Sequence, residues 1–204
     1  MSVDAAYFDQ LFEASEDPWA FRKRWYEQRK RALTLACLPR QRYQRAFEPG
    51  CANGELSLAL AGRCDELVVT DFSEKAVALA KARLAEYPGA QAIQGALPQD
   101  WPMGAFDLVV LSEVGYYLDT QAWSDVIRQC LACLAQNGTV LACHWLHPIE
   151  DGPQQGHEVH AQLQRELGLH RVVRHEEADF LMEVWCREPR TVDLDEPVVN
   201  SPAT

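Results

Sequence analysis

Glu48-Pro49-Gly50-Cys51-Ala52-Asn53-Gly54-Glu55 joins a short strand-like run, Arg45-Ala46-Phe47-Glu48, to a helical one, Glu55 to Ala61, in which Leu56, Leu58, Ala59 and Leu60 recur. A strand that feeds a helix through two glycines four residues apart opens a βα unit, with Gly50 letting the backbone turn and Gly54 letting a ligand or the helix approach closely. The next apolar run, Glu66 to Asp71, ends in an acid 23 residues after Glu48. A carboxylate at that strand end can accept two hydrogen bonds from the vicinal hydroxyls of a ribose. The loop is neither G-x-G-x-x-G nor G-x-x-x-x-G-K-[ST], so dinucleotide and P-loop readings lose their main support.

Outward from this loop the period keeps switching. Ser73 caps a helix carrying Ala76, Val77, Ala80 and Leu84 on one face, and Gln91 to Gln94 is a weak third strand. Phe106 to Leu111 is continuously apolar, as expected of a strand buried on both faces of a parallel sheet. Asp119 or Thr120 starts a helix through Trp123, Ile127, Leu131 and Leu134 that Asn137-Gly138 ends, and Thr139 to Trp145 is the fifth strand. A helix over Val159 to Leu167 and strands at Arg171 to His175 and Phe180 to Cys186 complete the pattern. The alternation predicts a doubly wound α/β domain around a mostly parallel, seven-stranded sheet. One domain is expected over 1–204, with a helical cover at 1–42, the sheet core at 43–187 and a flexible tail at 188–204. In the cover, Asp17-Pro18 is expected to start a helix through Phe21, Trp25, Ala32 and Leu35.

Composition narrows the function. The 204 residues carry a formal charge of -11, yet residues 1–45 hold nine basic and only six acidic side chains. An acidic sheet domain repels phosphate backbones, so no nucleic acid partner is expected, and a cationic or neutral ligand is favoured. Met1 to Ala6 has no basic or apolar leader pattern, and no apolar run is long enough to span a bilayer, so a cytoplasmic protein without membrane contact is expected. The seven cysteines read as reduced thiols, with Cys130 and Cys133 in an apolar helical pattern that favours core packing over a metal or redox role.

The loop from Glu48 to Gly54 resembles motif I of class I S-adenosylmethionine-dependent methyltransferases, commonly E/D-x-G-C-G-x-G, with Ala52 at the middle glycine. The resemblance continues with Asp71, with Phe106–Leu111 followed by Ser112-Glu113, and with Leu134 to Gly138, and covers roughly residues 45–187. Asp17-Pro18-Trp19, Trp25-Tyr26-Glu27, Leu111 to Leu118 and His144-Trp145-Leu146-His147-Pro148 are similar to the nodulation protein S-like (NodS-like) group. What this implies is a Rossmann-like methyltransferase sheet, S-adenosyl-L-methionine as cofactor, and a small amine acceptor such as an amino sugar. It also implies that Glu48, Gly50, Cys51, Gly54, Ser112 and Glu113 border the cofactor and that Asp71 takes its ribose. The Asp common in the family near Ala96 is missing, which implies that Phe72 and the backbone at Ala96 and Leu97 hold the adenine.

Methyl transfer from a sulfonium is an in-line displacement in which the protein aligns the reactants and excludes water. An amine acceptor must be neutral, so His144, His147 and Glu113 are the candidate proton acceptors. Tyr116 and Tyr117, with His144 and His147, are expected to bind the acceptor. Tyr26 and Lys30 or Arg29 are expected at the methionine carboxylate, and Trp19 and Trp25 in packing. His144, His147, His157 and His160 cluster in sequence near Asp151 and Glu158, but two HxxH pairs across a Gly/Pro/Gln loop make a poor zinc pattern, so no metal is expected. A monomer or weak homodimer is expected. The competing readings are O-methylation of a lipid or secondary metabolite, a noncatalytic cofactor-binding module and, more distantly, a dinucleotide oxidoreductase.

Overall fold

The computed structural model describes residues 5–149, 152–189 and 192. In chain order the elements are α1 (Ala5–Ala14), α2 (Trp25–Cys37), β1 (Tyr43–Pro49), α3 (Glu55–Ala61), β2 (Cys64–Asp71), α4 (Glu74–Arg83), β3 (Ala90–Gln94), β4 (Phe106–Ser112), α5 (Thr120–Cys133), β5 (Leu134–Trp145), α6 (Gly156–Glu166), β6 (His170–Glu176) and β7 (Phe180–Cys186). The seven strands form one sheet, as the sequence predicts, in the order β3-β2-β1-β4-β5-β7-β6. All neighbours are parallel except β7, which runs antiparallel to both β5 and β6. The strand order reverses between β1 and β4, so their carboxyl ends open the crevice where ligands of such sheets bind.

Period-2 alternation builds a core on each face. Leu108 and Val110 of β4 join Leu60, Val77 and Ala80 of α3 and α4 on one side. Val109 and Leu111 join Trp123, Ile127, Cys130 and Leu163 of α5 and α6 on the other. Each buried leucine, valine, isoleucine or phenylalanine contributes roughly 1.5–3 kcal/mol by leaving water, and β4 is anchored on both faces. Cys130 thus packs in the core, and half-buried Cys133 accepts a hydrogen bond from Trp101 at 3.2 Å.

Two elements depart from the sequence expectation. The Asp17 carboxylate accepts from Phe21 N at 2.8 Å and Arg22 N at 3.1 Å, but these bonds close a turn and start no helix. Ala20 then enters the left-handed region, at φ 57, which ends the turn, and α2 starts only at Trp25. Secondly, α5 stops at Cys133 rather than at Asn137-Gly138. Leu134 pairs with Phe106 of β4 and the register then shifts before Leu108 meets Thr139, so Asn137-Gly138 lies inside β5. Ser73, Asp119 and the Gln155–Glu158 box cap α4, α5 and α6. The expected tail falls, except for residues 188, 189 and 192, outside the described residues, as does Asp151. Among the described residues no helix is long and apolar enough to cross a membrane.

Candidate active site

The β1–α3 turn is built on backbone that few residues accept. Gly50 sits at φ 72, and a Cβ there would lie 2.4 Å from Val114 Cγ1. Gly50 N and Cys51 N both donate to Thr70 O, which ties the turn to the end of β2. Asp71 follows, and its carboxylate accepts from Ala52 N and Ser73 N, each at 3.0 Å. Burial pushes the Asp71 carboxyl up to about 6. A second left-handed residue, Glu113 at φ 57, closes β4, with its N–H donating to Cys143 O at 2.9 Å. A non-glycine residue held there costs of order 1–3 kcal/mol, and such positions gather at functional sites.

Two cavities lie over these strand ends. The larger, about 420 Å³, is bordered below by Gly50, Ala52, Thr70, Asp71, Phe72, Ala96, Leu97 and Glu113. Its roof and far wall come from Phe8, Phe12, Trp19, Phe21, Tyr26 and Glu27 of the N-terminal segment, with Val114, Tyr116, Tyr117, Trp145 and Ile149. The aromatic rings interlock. Phe8 lies 5.1 Å from Phe72 and 4.8 Å from Tyr117, and Tyr26 lies 5.5 Å from Trp145. The smaller cavity, about 60 Å³, shares Gly50, Glu27, Lys30 and Glu113 and adds Glu48, Cys51, Asn53 and Ser112.

Charge concentrates where the cavities meet. Lys30 Nζ lies 2.7 Å from Glu113 Oε1 and 3.2 Å from Glu27 Oε2. Burial disfavours this ammonium, but Glu113 and Glu27 outweigh burial and hold its pKa above the ordinary lysine value. Burial likewise pushes the Glu27 carboxyl up. Glu113 Oε2 accepts from Tyr116 OH and, at 3.0 Å, from Trp145 N. Glu48 is 2 % exposed, and burial drives its carboxyl to about 8. Its Oε2, Asn53 Oδ1 and the Tyr26 hydroxyl have no hydrogen-bond partner among the described residues. Buried acceptors left open in this way cost free energy unless a ligand supplies donors.

The geometry brings Tyr26, Lys30, Glu48, Gly50, Cys51, Asp71, Phe72, Ala96, Leu97, Ser112, Glu113, Tyr116 and Tyr117 to one place. Gly54, at φ 78, instead packs beneath, where a Cβ would be 3.0 Å from Ala80 Cα. Arg29 turns away to form a two-pronged pair with Glu177, at 2.7 and 2.6 Å. Trp25, expected to pack, is 74 % exposed, while Trp19 packs with Phe8, Phe12 and Phe21. His144 is 0 % exposed and borders neither cavity, and half-exposed His147 pairs with Asp179 at 2.8 Å, also outside both. The expected proton-acceptor role therefore has no support from the placement of either histidine. His144 touches His160, at 3.1 Å, but His157 is exposed, and no group of three or more metal-ligating side chains forms among the described residues.

Sequence reading overlooked Phe8, Phe12, Glu27 and Asn53. The i, i+4 spacing of Phe8 and Phe12 and the i, i+3 spacing of Glu27 and Lys30 were the available signals. What the arrangement offers is a carboxylate at the end of β2, a buried ammonium held between two carboxylates, buried polar atoms without partners, and an apolar enclosure around them.

Comparison with known proteins agrees with this geometry. The family described as a methyltransferase domain matches residues 46–138. Nodulation protein S from Sinorhizobium fredii is 32% identical over 127 residues, 61% of this chain and 59% of that protein. The chain thus spans about three fifths of the length of that relative. Among solved structures, a Pseudomonas syringae chain described as a methyltransferase is 52% identical, with a TM-score of 0.73 over 80% of this chain and 100% of its own. The N-methyltransferase NodS from Bradyrhizobium japonicum, solved with S-adenosyl-L-homocysteine, shares the fold at 22% identity, with a TM-score of 0.75 over 88% of this chain and 96% of that one. The chain belongs to the S-adenosylmethionine-dependent methyltransferases and is similar to nodulation protein S over about three fifths of that relative's length.

Proposed function

We propose that this protein transfers a methyl group from S-adenosyl-L-methionine to a small amine acceptor of amino-sugar-like chemistry. The observation that carries the reading is the pair Glu27 and Glu113, two carboxylates converging on the single ammonium of Lys30 in a cavity rich in aromatic side chains. Two acids in such a place favour a cationic acceptor and give its proton somewhere to go.

The residues present fit the cofactor. Asp71 offers its carboxylate to ribose hydroxyls, Phe72, Ala96 and Leu97 border the adenine, and Lys30 takes the methionine carboxylate. The open Glu48 Oε2 and Asn53 Oδ1 suit the donors of an α-ammonium. The bound cofactor supplies an electrophilic methyl on a positively charged sulfur. Around it, the aromatic walls exclude water, and their ring faces tolerate the positive charge. Glu27, held above the ordinary carboxylate range by burial, takes the acceptor's proton on a carboxylate oxygen. Lys30 steadies Glu113, whose second oxygen is fixed by Tyr116 and Trp145 N. These roles amount to positioning and proton removal, which is most of what this displacement requires of a protein.

The test is a methyl-transfer assay with chitotetraose carrying one free amine, set against the fully acetylated sugar and a hydroxyl acceptor such as catechol. Transfer to the free amine alone supports the reading. Transfer to the hydroxyl acceptor alone replaces it with O-methylation. Cofactor binding with no transfer to amines or hydroxyls across a broad panel favours a noncatalytic module.

A further inference from the structure

The 115–117 turn lies against the cavity, and its first peptide is held in an unusual way. Gly115 N–H does not meet a carbonyl. It donates to His144 Nε2 on β5 at 3.0 Å. That bond requires Nε2 to be free of a proton, which places the proton of the neutral ring on Nδ1. His144 Nδ1–H then donates to His160 Nε2 of α6 at 3.1 Å, and His160 Nδ1–H donates to Glu183 Oε2 of β7 at 2.7 Å. The other oxygen of Glu183 accepts from Arg171 at 2.6 Å and Arg174 at 2.7 Å on β6. A backbone donor at one end and a carboxylate at the other leave one tautomer for each ring.

We infer that His144, His160 and Glu183 are positioning residues, a buried relay that holds the Gly115 peptide and through it the cavity wall formed by Glu113, Tyr116 and Tyr117. A relay crossing three elements to satisfy one amide is costly to bury, and every side chain in it is shielded from water. Space permits no substitute, because a Cβ on Gly115 would stand 2.4 Å from Val159 Cγ1 and 3.1 Å from His144 Nε2. The far side of the turn is tied too, by Gln154 Nε2 donating to Leu118 O at 2.8 Å. Burial holds both imidazoles below the ordinary histidine value, with His160 adding to the effect on His144 and Glu183 opposing it on His160, in keeping with neutral rings. The relay explains why His144 is buried beside the site without facing it. Its functional consequence rests on the methyl-transfer reading, whereas its geometry does not.

Nitrogen-15 NMR of the wild-type protein reads the tautomers directly. His144 and His160 are expected to be neutral, each with a protonated Nδ1 and a bare Nε2; a protonated Nε2 on His144 overturns the assignment. Two uncharged variants, read by hydrogen exchange at Gly115 and by calorimetry with S-adenosyl-L-homocysteine, test the positioning. His144→Leu removes the acceptor, and Gly115 exchange is expected to rise about tenfold or more, the loss of one buried hydrogen bond, with affinity falling about fivefold. His144→Gln keeps an oxygen for Gly115 and is expected to stay within about threefold of wild type in both. A folded His144→Leu protein that matches wild type, or a His144→Gln protein as impaired as His144→Leu, refutes the relay. If the wild-type protein binds no S-adenosyl-L-homocysteine, the cofactor reading falls instead, and the tautomers and the exchange rates still decide the relay.

Discussion

The floor of the large cavity and its roof are held by different forces. The floor, at the ends of β1, β2 and β4, is locked by backbone: Gly50 and Cys51 donate to Thr70 O, and Asp71 is gripped by Ala52 N and Ser73 N. The roof, from α1 through α2, rests on side chains. Phe8, Phe12 and Trp19 interlock, Arg22 and Arg31 meet Glu55, and Arg29 meets Glu177. Floor chemistry is therefore insensitive to single side-chain changes away from it, whereas the roof can be retuned residue by residue. In a methyltransferase this division suits a fixed cofactor and a variable acceptor.

The comparison can be broken most severely from the floor. Gly50→Val forces a Cβ against Val114 at a left-handed backbone position. Denaturant melts are expected to show a loss of about 3–4 kcal/mol, and cofactor binding should vanish with it. From the roof, Phe12→Ala opens a buried site and is expected to cost roughly 2–4 kcal/mol in the same melts. Unlike the first change, it should leave a folded sheet that binds S-adenosyl-L-homocysteine within about tenfold of wild type. A Phe12→Ala protein with an unfolded sheet would erase the distinction.

Subtler changes sharpen it. Glu27→Gln is expected to lower the rate of methyl transfer at neutral pH by about 10–100-fold, with affinity for S-adenosyl-L-homocysteine within about threefold. Acidification reads the floor alone. Ribose hydroxyls favour ionised Asp71, whose carboxyl sits at about 6. Affinity is thus expected to be full above that pH and to fall by up to about tenfold per unit below it, a slope that Asp71→Asn should remove. The same sign runs the other way for folding. Glu48 and Asp71 are raised in the folded state, so the stability they confer is present below pH about 4 and is lost as pH rises toward about 8 and about 6 respectively. Smallest of all, Arg29→Ala breaks a half-exposed pair and should change stability by less than about 1 kcal/mol.

The two regions also differ in how much of them could be read in advance. Gly50, Asp71 and Glu113 follow from strand ends and a glycine turn, because local backbone demands and chain order fix them. The seven strands and their mostly parallel sheet came with the alternation and the resemblance. The roof was harder. Asp17-Pro18 carries a helix-start signal, yet the chain forms a turn there with Ala20 left-handed, and no local rule predicts a left-handed alanine. His144 and His147 looked like site residues because they leave β5 at the right end. Alternation along the strand instead turns His144 into the α6 interface, and His147 lies beyond the rim with Asp179. Glu27 was missed because its partner Glu113 is distant in sequence and only tertiary packing joins them through Lys30.

The earlier asymmetry of charge also acquires a place. Lys30, from the basic segment, ends as a buried cation between two acids, while Arg22, Arg29 and Arg31 fasten that segment to the acidic body. The most direct test of the account is calorimetric titration of S-adenosyl-L-homocysteine into the wild-type protein and into Asp71→Ala. Saturable one-to-one binding is expected of the wild type, with a loss of about 100-fold or more in the folded variant. Equal affinity in the two proteins, or no binding by either, would contradict it.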